Sequence, residues 1–427
     1  MQEPRPDDVT MPTWASVIPD DWATKRVKHV ARFTTGWTPP SGDVASYTGE
    51  NPWATIGDLG SKVLYETANH ISDEAAAKSG IPLSPAGSLL FSFKLSVGQV
   101  SIAGRPMFTN EAIATFAPED GYDTRWAFYA FPEFITQNSA INIYGARLLN
   151  QQRINDAALP LPPLERQRAI AAYLDAETTR IDRLIDEKKK LKRLLVEFRN
   201  STITDAVLGR TKDAYEAAAT GGTWKTVRLR FKARINPKAT VELNPKDEVS
   251  FVPMESIGDD GALTLDRTRL IEEVSQGYTY FEEGDVSIAK ITPCFENGKG
   301  AVMRGLVGGV GFGTTELIVM RPEDDLSPRF LYYVMQSEHF RKPGEAAMLG
   351  AGGQRRVPDL FVKDFANPWP AIDVQESISL FLDEQTSRID KLFAHVDEEI
   401  TLLRQLRSAT ITDAVLGRID VCSHMKS

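Results

Sequence analysis

The octapeptide Ile-Thr-Asp-Ala-Val-Leu-Gly-Arg stands at residues 203–210 and again at residues 411–418, and nothing else in the chain constrains its fold as strongly. The likeness runs backward without a gap. At a constant offset of 208, residues 160–210 and 368–418 agree at 23 of 51 positions, among them Leu174-Asp175 with Leu382-Asp383 and Arg180-Ile181-Asp182 with Arg388-Ile389-Asp390. A unit of this length is a domain plus a helix, well beyond the roughly 20–50-residue period of solenoids. Two copies predict two like halves about a pseudo-two-fold axis.

Within each copy the apolar residues recur at alternating three- and four-residue steps: Ile170, Leu174, Ile181, Leu184, Leu191, Leu195 and Phe198, then Ile378, Leu382, Ile389, Leu392, Val396, Leu403 and Leu406. That is the heptad spacing of a long helix with one seam. Both helices start after prolines (Pro160, Pro162, Pro163; Pro368, Pro370) and stop at Gly209 and Gly417, the residues that favour a helix start and stop. At 1.5 Å per residue, some 45 residues extend about 65 Å. Charge sets the pairing. The first helix carries Lys188, Lys189, Lys190, Lys192 and Arg193 at its middle, where the second carries Asp397, Glu398 and Glu399. An antiparallel pair brings these stretches together, whereas either helix paired with itself would repel.

The segments before the helices read as mixed α/β, with short strands and Gly/Pro turns. They share anchors: residues 26–32 with 228–234, 97–100 with 297–300, 118–120 with 322–324, and Gly145-Ala146-Arg147 with Gly353-Gln354-Arg355. The expected organisation is a mixed α+β domain at 1–160, a helix at 161–210, a second such domain at 211–367, a second helix at 368–418 and a tail at 419–427. The segments between anchors diverge, as expected of two domains doing one task on different targets.

Candidates for catalysis are poor. Gly309, Gly311 and Gly313 superficially resemble a phosphate-cradling loop, but Gly313 runs into the apolar strand Leu317-Ile318-Val319-Met320 instead of a helix, so a turn or bulge is expected. Asn51-Pro52-Trp53 and Asn367-Pro368-Trp369 resemble the loop of adenine methyltransferases without its second proline, and are better read as a turn and a helix start. Five scattered histidines and two cysteines, Cys294 and Cys422, give neither a nucleophilic triad nor a metal site; Cys422 and His424 read as an unstructured end. The net charge of −9 argues against a protein that coats nucleic acid by bulk electrostatics. Lys and Arg number 12 against 17 Asp and Glu in residues 1–160, and 20 against 23 in residues 211–367, so any DNA contact requires local clustering. No apolar run reaches the roughly 18–20 residues that cross a bilayer, the first 21 residues lack a signal-peptide core, and the expected location is the cytoplasm.

Candidate DNA contacts occur in both halves. Arg228, Arg230, Lys232 and Arg234 alternate, which on a strand places them on one face, with Arg26, Lys28 and Arg32 as a weaker equivalent. Lys94 and Lys290 follow apolar strands, Asn110 and Thr314 sit in Thr/Asn turns, and Arg147, Arg355 and Arg356 follow glycines. Such side chains hold phosphates or fork onto guanine, and Asn onto adenine.

The run Pro160-Leu161-Pro162-Pro163-Leu164-Glu165-Arg166-Gln167, followed by Leu174-Asp175, Arg180-Ile181-Asp182 and Ala206-Val207-Leu208-Gly209-Arg210, and present twice, resembles the proline-bounded helices of the specificity subunits of type I restriction-modification systems. Gly36-Trp37-Thr38-Pro39-Pro40 followed by Asn51-Pro52-Trp53 is similar to the opening of that family's target-recognition domains, which adds Trp37 and Thr38 to the candidate contacts. Departures are small: an extra residue in Glu165-Arg166-Gln167, Asp373-Val374-Gln375 in the second copy, and Leu208 and Leu416 in place of the usual Thr. The resemblance implies that each domain reads half of a bipartite double-stranded DNA target, that the helices fix the gap, and that two modification subunits and restriction/motor subunits join the assembly. It implies no cofactor on this chain, with S-adenosylmethionine, ATP and Mg bound by the partners, and no catalytic residue. Two alternatives remain open: the specificity partner of a combined methyltransferase-endonuclease, and a protein-interaction scaffold that binds no DNA.

Overall fold

The computed structural model describes residues 12–80, 82–141, 145–211, 224–239, 244–351 and 353–421; Cys422 and His424 lie outside them. The chain divides into two compact units: Met1–Glu187 with Glu399–Ser427, and Lys188–Glu398. Each takes part of both long helices, Leu164–Val207 and Ile372–Val415, 44 residues apiece.

The same sheet is built in both. In the first unit Phe33–Thr35, Ile113–Phe116, Leu89–Ser92 and Val100–Ala103 lie side by side in that order, with Val63–Leu64 added at the edge. In the second, Ala233–Ile235, Leu317–Pro322, Val286–Ala289 and Gly300–Val302 repeat the order. Register agrees too: Leu89 faces Phe116 as Val286 faces Met320. A further parallel pairing also recurs, Asn51–Ala54 on Phe108–Thr109 and Glu248–Val252 on Val310–Gly313. The inner strands are apolar on both faces, as Leu89-Leu90-Phe91 and Leu317-Ile318-Val319-Met320 require by being wholly buried.

Each core joins a domain to helix ends of both repeats. In the first unit Phe91, Phe116, Trp126 and Phe131 pack with Ile170 and Leu174 of the first long helix and with Ala414, Val415 and Leu416 of the second. In the second unit Phe330, Phe340 and Trp369 pack with Ile378 and Leu382, and with Ile203, Ala206 and Val207. The duplicated octapeptide is thus a helix end that plugs a core. It stops at glycines in the left-handed region, Gly209 at φ 70° and Gly417 at φ 72°. The Arg210 amide donates to the Asp205 carbonyl and the Gly209 amide to that of Ala206, a Schellman cap that the second copy repeats. A Cβ on Gly209 would meet Trp224 at 3.1 Å, and one on Gly417 would meet Pro19 at 2.7 Å.

Within the second unit Lys192 Nζ reaches Asp397 at 2.7 Å and Arg199 pairs with Asp390, and within the first Asp182 accepts from Arg407 at 2.9 Å. Ascending numbers on one helix meet descending numbers on the other. The helices are antiparallel, with the basic stretch against the acidic one as expected. The seam differs. Ile181, Ile185, Val396 and Ile400 are buried, while Leu191, Phe198, Leu392 and Leu406 are 41–57% exposed. A helix of 3.6 residues per turn drifts about 20° per heptad against a strict 3.5 spacing, so one buried stripe cannot hold every heptad position.

Two other local expectations change. Asn51-Pro52-Trp53 opens the strand Asn51–Ala54, and Asn367-Pro368-Trp369 lies in the strand Ala366–Trp369 paired with Lys225–Arg228, because burying Trp53 and Trp369 draws both segments into extended backbone. Of the glycines after 307, Gly308 and Gly309 form the expected turn, but Val310–Gly313 is a strand. Gly311 is required there, since a Cβ would meet the Phe281 ring at 2.4 Å.

Candidate nucleic-acid interface

In the first unit Trp37, Thr38, Lys94 and Asn110 gather at one strand-end cluster. The Trp37 amide donates to the Thr109 carbonyl at 2.9 Å, and the Trp37 carbonyl accepts from the buried Trp53 indole at 2.9 Å. This sets the exposed Thr38 hydroxyl against the Glu111 carboxylate, to which it donates. Asn110 closes the turn by accepting the Ala112 amide on Oδ1 at 3.1 Å. The Thr38 hydrogen bond, and then Lys94 nearby, hold the Glu111 carboxyl below its ordinary range despite partial burial.

The second unit repeats the plan with stronger charges. Thr314 accepts the Glu316 amide on Oγ1 at 3.3 Å, the counterpart of Asn110. Glu316 takes a two-pronged bond from Arg356, Nε to Oε2 at 2.9 Å and Nη2 to Oε1 at 2.8 Å, and its backbone carbonyl accepts from the Lys290 amide. The Arg356 fork, followed by the charge of Lys290, holds the Glu316 carboxyl low. Arg355 pairs with Glu296 at 3.0 Å on the neighbouring segment. Sequence reasoning missed Glu111 and Glu316; the signal was an acid one residue after Asn110 and two after Thr314.

Arg228 and Arg230 do not join this cluster. The strand stops at Arg228, a 3-10 turn spans Leu229–Phe231, and the next strand begins at Ala233, so the alternating cations do not share one strand face. Burial of Leu229 inside the core bends the chain there. Arg228 and Arg230 both pair with Asp364, Lys232 with Asp325 and Arg234 with Glu323. Arg26 and Lys28 repeat the motif on Asp156. The pairs on Asp156 and Asp364 join the segment preceding each long helix to its domain. Arg147 also stands apart, lining a cleft with Arg404 and Arg407.

The residues shared by the repeats serve a different end. Asp175 accepts from Arg125 Nε at 3.0 Å, from the Tyr129 hydroxyl at 2.8 Å and from Lys62, while Asp383 accepts from Arg329 Nε at 2.7 Å and the Tyr333 hydroxyl at 2.6 Å. Buried Gln167 accepts the Asp123 amide at 2.7 Å and donates to the Pro162 carbonyl; Gln375 does the same with Ser327 and Pro370. Each domain is therefore latched to its own following helix. The pattern Arg-x-x-x-Tyr at Arg125…Tyr129 and Arg329…Tyr333, one helical turn apart, was the legible sign of it.

Residues 19–193 match the type I restriction modification DNA specificity domain. Over 172 residues the chain is 41% identical to the type I restriction enzyme EcoAI specificity subunit of Escherichia coli, and over 202 residues 40% identical to the EcoEI specificity subunit of the same organism. These alignments cover 40% and 45% of this chain but 29% and 33% of the relatives, so the chain aligns with about a third of their length. A chain from a solved structure on complex assembly and conformational transition of the type I R-M system superposes with a TM-score of 0.64 at 16% identity, covering 94% of this chain and 99% of that one. At that identity the likeness speaks for the fold.

Proposed function

From this relationship to type I specificity subunits we propose that the protein is the DNA-recognition subunit of a type I restriction-modification complex. Residues 1–160 and 211–367 are its two target-recognition domains, and the helices at 161–210 and 368–418 fix the gap between half-sites and help to dock modification subunits. Of the segment that follows, Ile419 and Val421 pack on the core of the first unit. The observation that carries the reading is the repetition itself: two divergent domains present the same turn with a carboxylate beside it, Glu111 next to Asn110 and Glu316 two residues after Thr314, and are latched by identical helix residues. Shared anchoring with divergent faces suits two readers of different half-sites.

In this reading Trp37, Thr38, Lys94 and Asn110 face one half-site, and Lys290, Thr314, Arg355 and Arg356 the other. Arg356, held as a fork by Glu316, is set to read a guanine edge. S-adenosylmethionine, ATP and Mg belong to the modification and restriction partners, the adenine is flipped into the modification subunit, and this chain supplies no reacting group. No helix among the described residues is long and apolar enough to cross a membrane, in keeping with work on cytoplasmic DNA.

Exchange of residues 1–160 for the matching segment of a relative tests the proposal. The methylated motif of the assembled complex should change in one half and keep its other half and its gap; a change in both halves would break it. Arg356→Ala should weaken the second half-site alone, by about 1–3 kcal/mol if it reads guanine.

A further inference from the structure

The two helix repeats line equivalent clefts. In the first unit positions 404, 407, 408 and 411 face the domain across a space of about 570 Å³; in the second, the residues 208 earlier, at 196, 199, 200 and 203, do the same across about 500 Å³. The fold is common and the charge is not. The first cleft gathers Arg147, Arg404 and Arg407 with Glu133 as its acid. The second has Val196 in place of Arg404, and its Arg199 and Arg341 are balanced by Asp259 and Asp260.

The partners sharpen the difference. Arg407 donates to Asp182 at 2.9 Å, as Arg199 pairs with Asp390, so these cations belong to the helix pairing in both units. Arg147 and Arg404 are paired with no carboxylate among the described residues, whereas Arg355, the repeat counterpart of Arg147, is held by Glu296. Three guanidinium groups converging on one cleft repel one another, and the repeat shows that the fold does not require them there. Gly98, at φ 93°, brings backbone to the cleft wall, and Ser408 adds a hydroxyl. Fork-shaped donors on the wall of a partly apolar cleft match a phosphate oxyanion.

We infer that the first-unit cleft is a phosphate-binding site in which Arg147 and Arg404 hold the anion and Arg407, tied to Asp182, orients the wall. The phosphate comes either from the backbone of bound duplex or from a free phosphate compound. The site as such stands on the cleft alone; its duplex form rests on the function proposed above.

The full chain, Arg404→Gln and Arg147→Gln/Arg404→Gln are compared in two assays. In the first, duplex retention is followed against salt. A backbone phosphate predicts a several-fold loss that is equal for every target sequence, with the salt slope falling by about one per lost contact. In the second, thermal unfolding is followed against pyrophosphate; a free ligand predicts a rise in Tm that the substitutions abolish. Val196→Gln, in the other cleft, should leave both readouts unchanged. Either response supports the site and names its source. If the substitutions alter neither the salt slope nor the pyrophosphate effect, the inference is overturned. Failure of the unaltered chain to hold any duplex counts against the proposed function, and the pyrophosphate assay then decides the site by itself.

Discussion

The latch at Asp175 and the latch at Asp383 occupy the same place in the two repeats and are solved differently. Asp175 is held by Lys62, Arg125 and Tyr129, and both its oxygens are engaged. Asp383 has Arg329 and Tyr333 but no lysine, and among the described residues nothing donates to its buried Oδ2. The helix side of the contact is common to the repeats: Leu, Asp, Thr and Gln at an offset of 208. The domain side keeps its arginine and tyrosine, Arg125 and Tyr129 in one unit and Arg329 and Tyr333 in the other, and differs at Lys62. A duplicated joint thus keeps the donors that fix the carboxylate and varies the outer cation.

The sharpest way to break this comparison is to empty the shared helix positions. Leu174→Ala and Leu382→Ala each remove a side chain with no exposed surface, and each should lower stability by about 2–5 kcal/mol in denaturant unfolding. If one substitution costs less than a quarter of the other, the two joints are not equivalent.

A smaller effect comes from the charges. Burial raises the Asp175 carboxyl, but donation from Lys62, Arg125 and Tyr129 outweighs it and holds the group below its ordinary value. A depressed folded pKa adds stability that is complete above the unfolded pKa, near 4, and is lost as pH falls through the folded value. Asp175→Asn should therefore flatten part of the acid limb of a stability–pH curve below about pH 4. Lys62→Met recreates the Asp383 arrangement. Because Lys62 is 38% exposed, it should cost under about 1 kcal/mol at neutral pH. A cost several times larger would show that the second latch has a compensating contact of its own.

The smallest effect belongs to the middle of the helix pair. Lys192→Glu places like charge against Asp397, but both side chains are 40% or more exposed, so a loss of only about 0.2–1 kcal/mol, diminishing with salt, is expected. Salt-independent loss would mean that packing of the lysine stem, and not its charge, holds the helices there.

The helices were legible because their signals are local and repeated: apolar spacing, prolines before, glycine after, opposite charge at matched positions. Even so, heptad spacing alone assigned Leu191, Phe198, Leu392 and Leu406 to the seam, and the drift of a real helix exposes them. Lys94 and Lys290 are legible as cations after apolar strands, Asn110 and Thr314 as turn residues, and Arg356 as a cation after glycines. Their common feature, a carboxylate at each centre, is not, because Glu111 and Glu316 meet their partners across 73 residues for Thr38 and 40 for Arg356. The alternating arginines at 228 and 230 misled for the opposite reason, since alternation marks one face only while the strand continues.

By itself the sequence determined that this protein is duplicated, that each half ends in a long helix, and that the helices pair antiparallel by charge, since each of these follows from spacing along the chain or from identity at a fixed offset. Only the tertiary structure decided which charges are spent on the fold and which are left for a ligand. Arg147 and Arg355 occupy like places in sequence, yet one lines a cationic cleft and the other is tied to Glu296. Charge in a folded protein is balanced by whatever side chain packing brings within a few ångströms, and that neighbour is set by the sheet and the helix it docks on, not by the residues on either side.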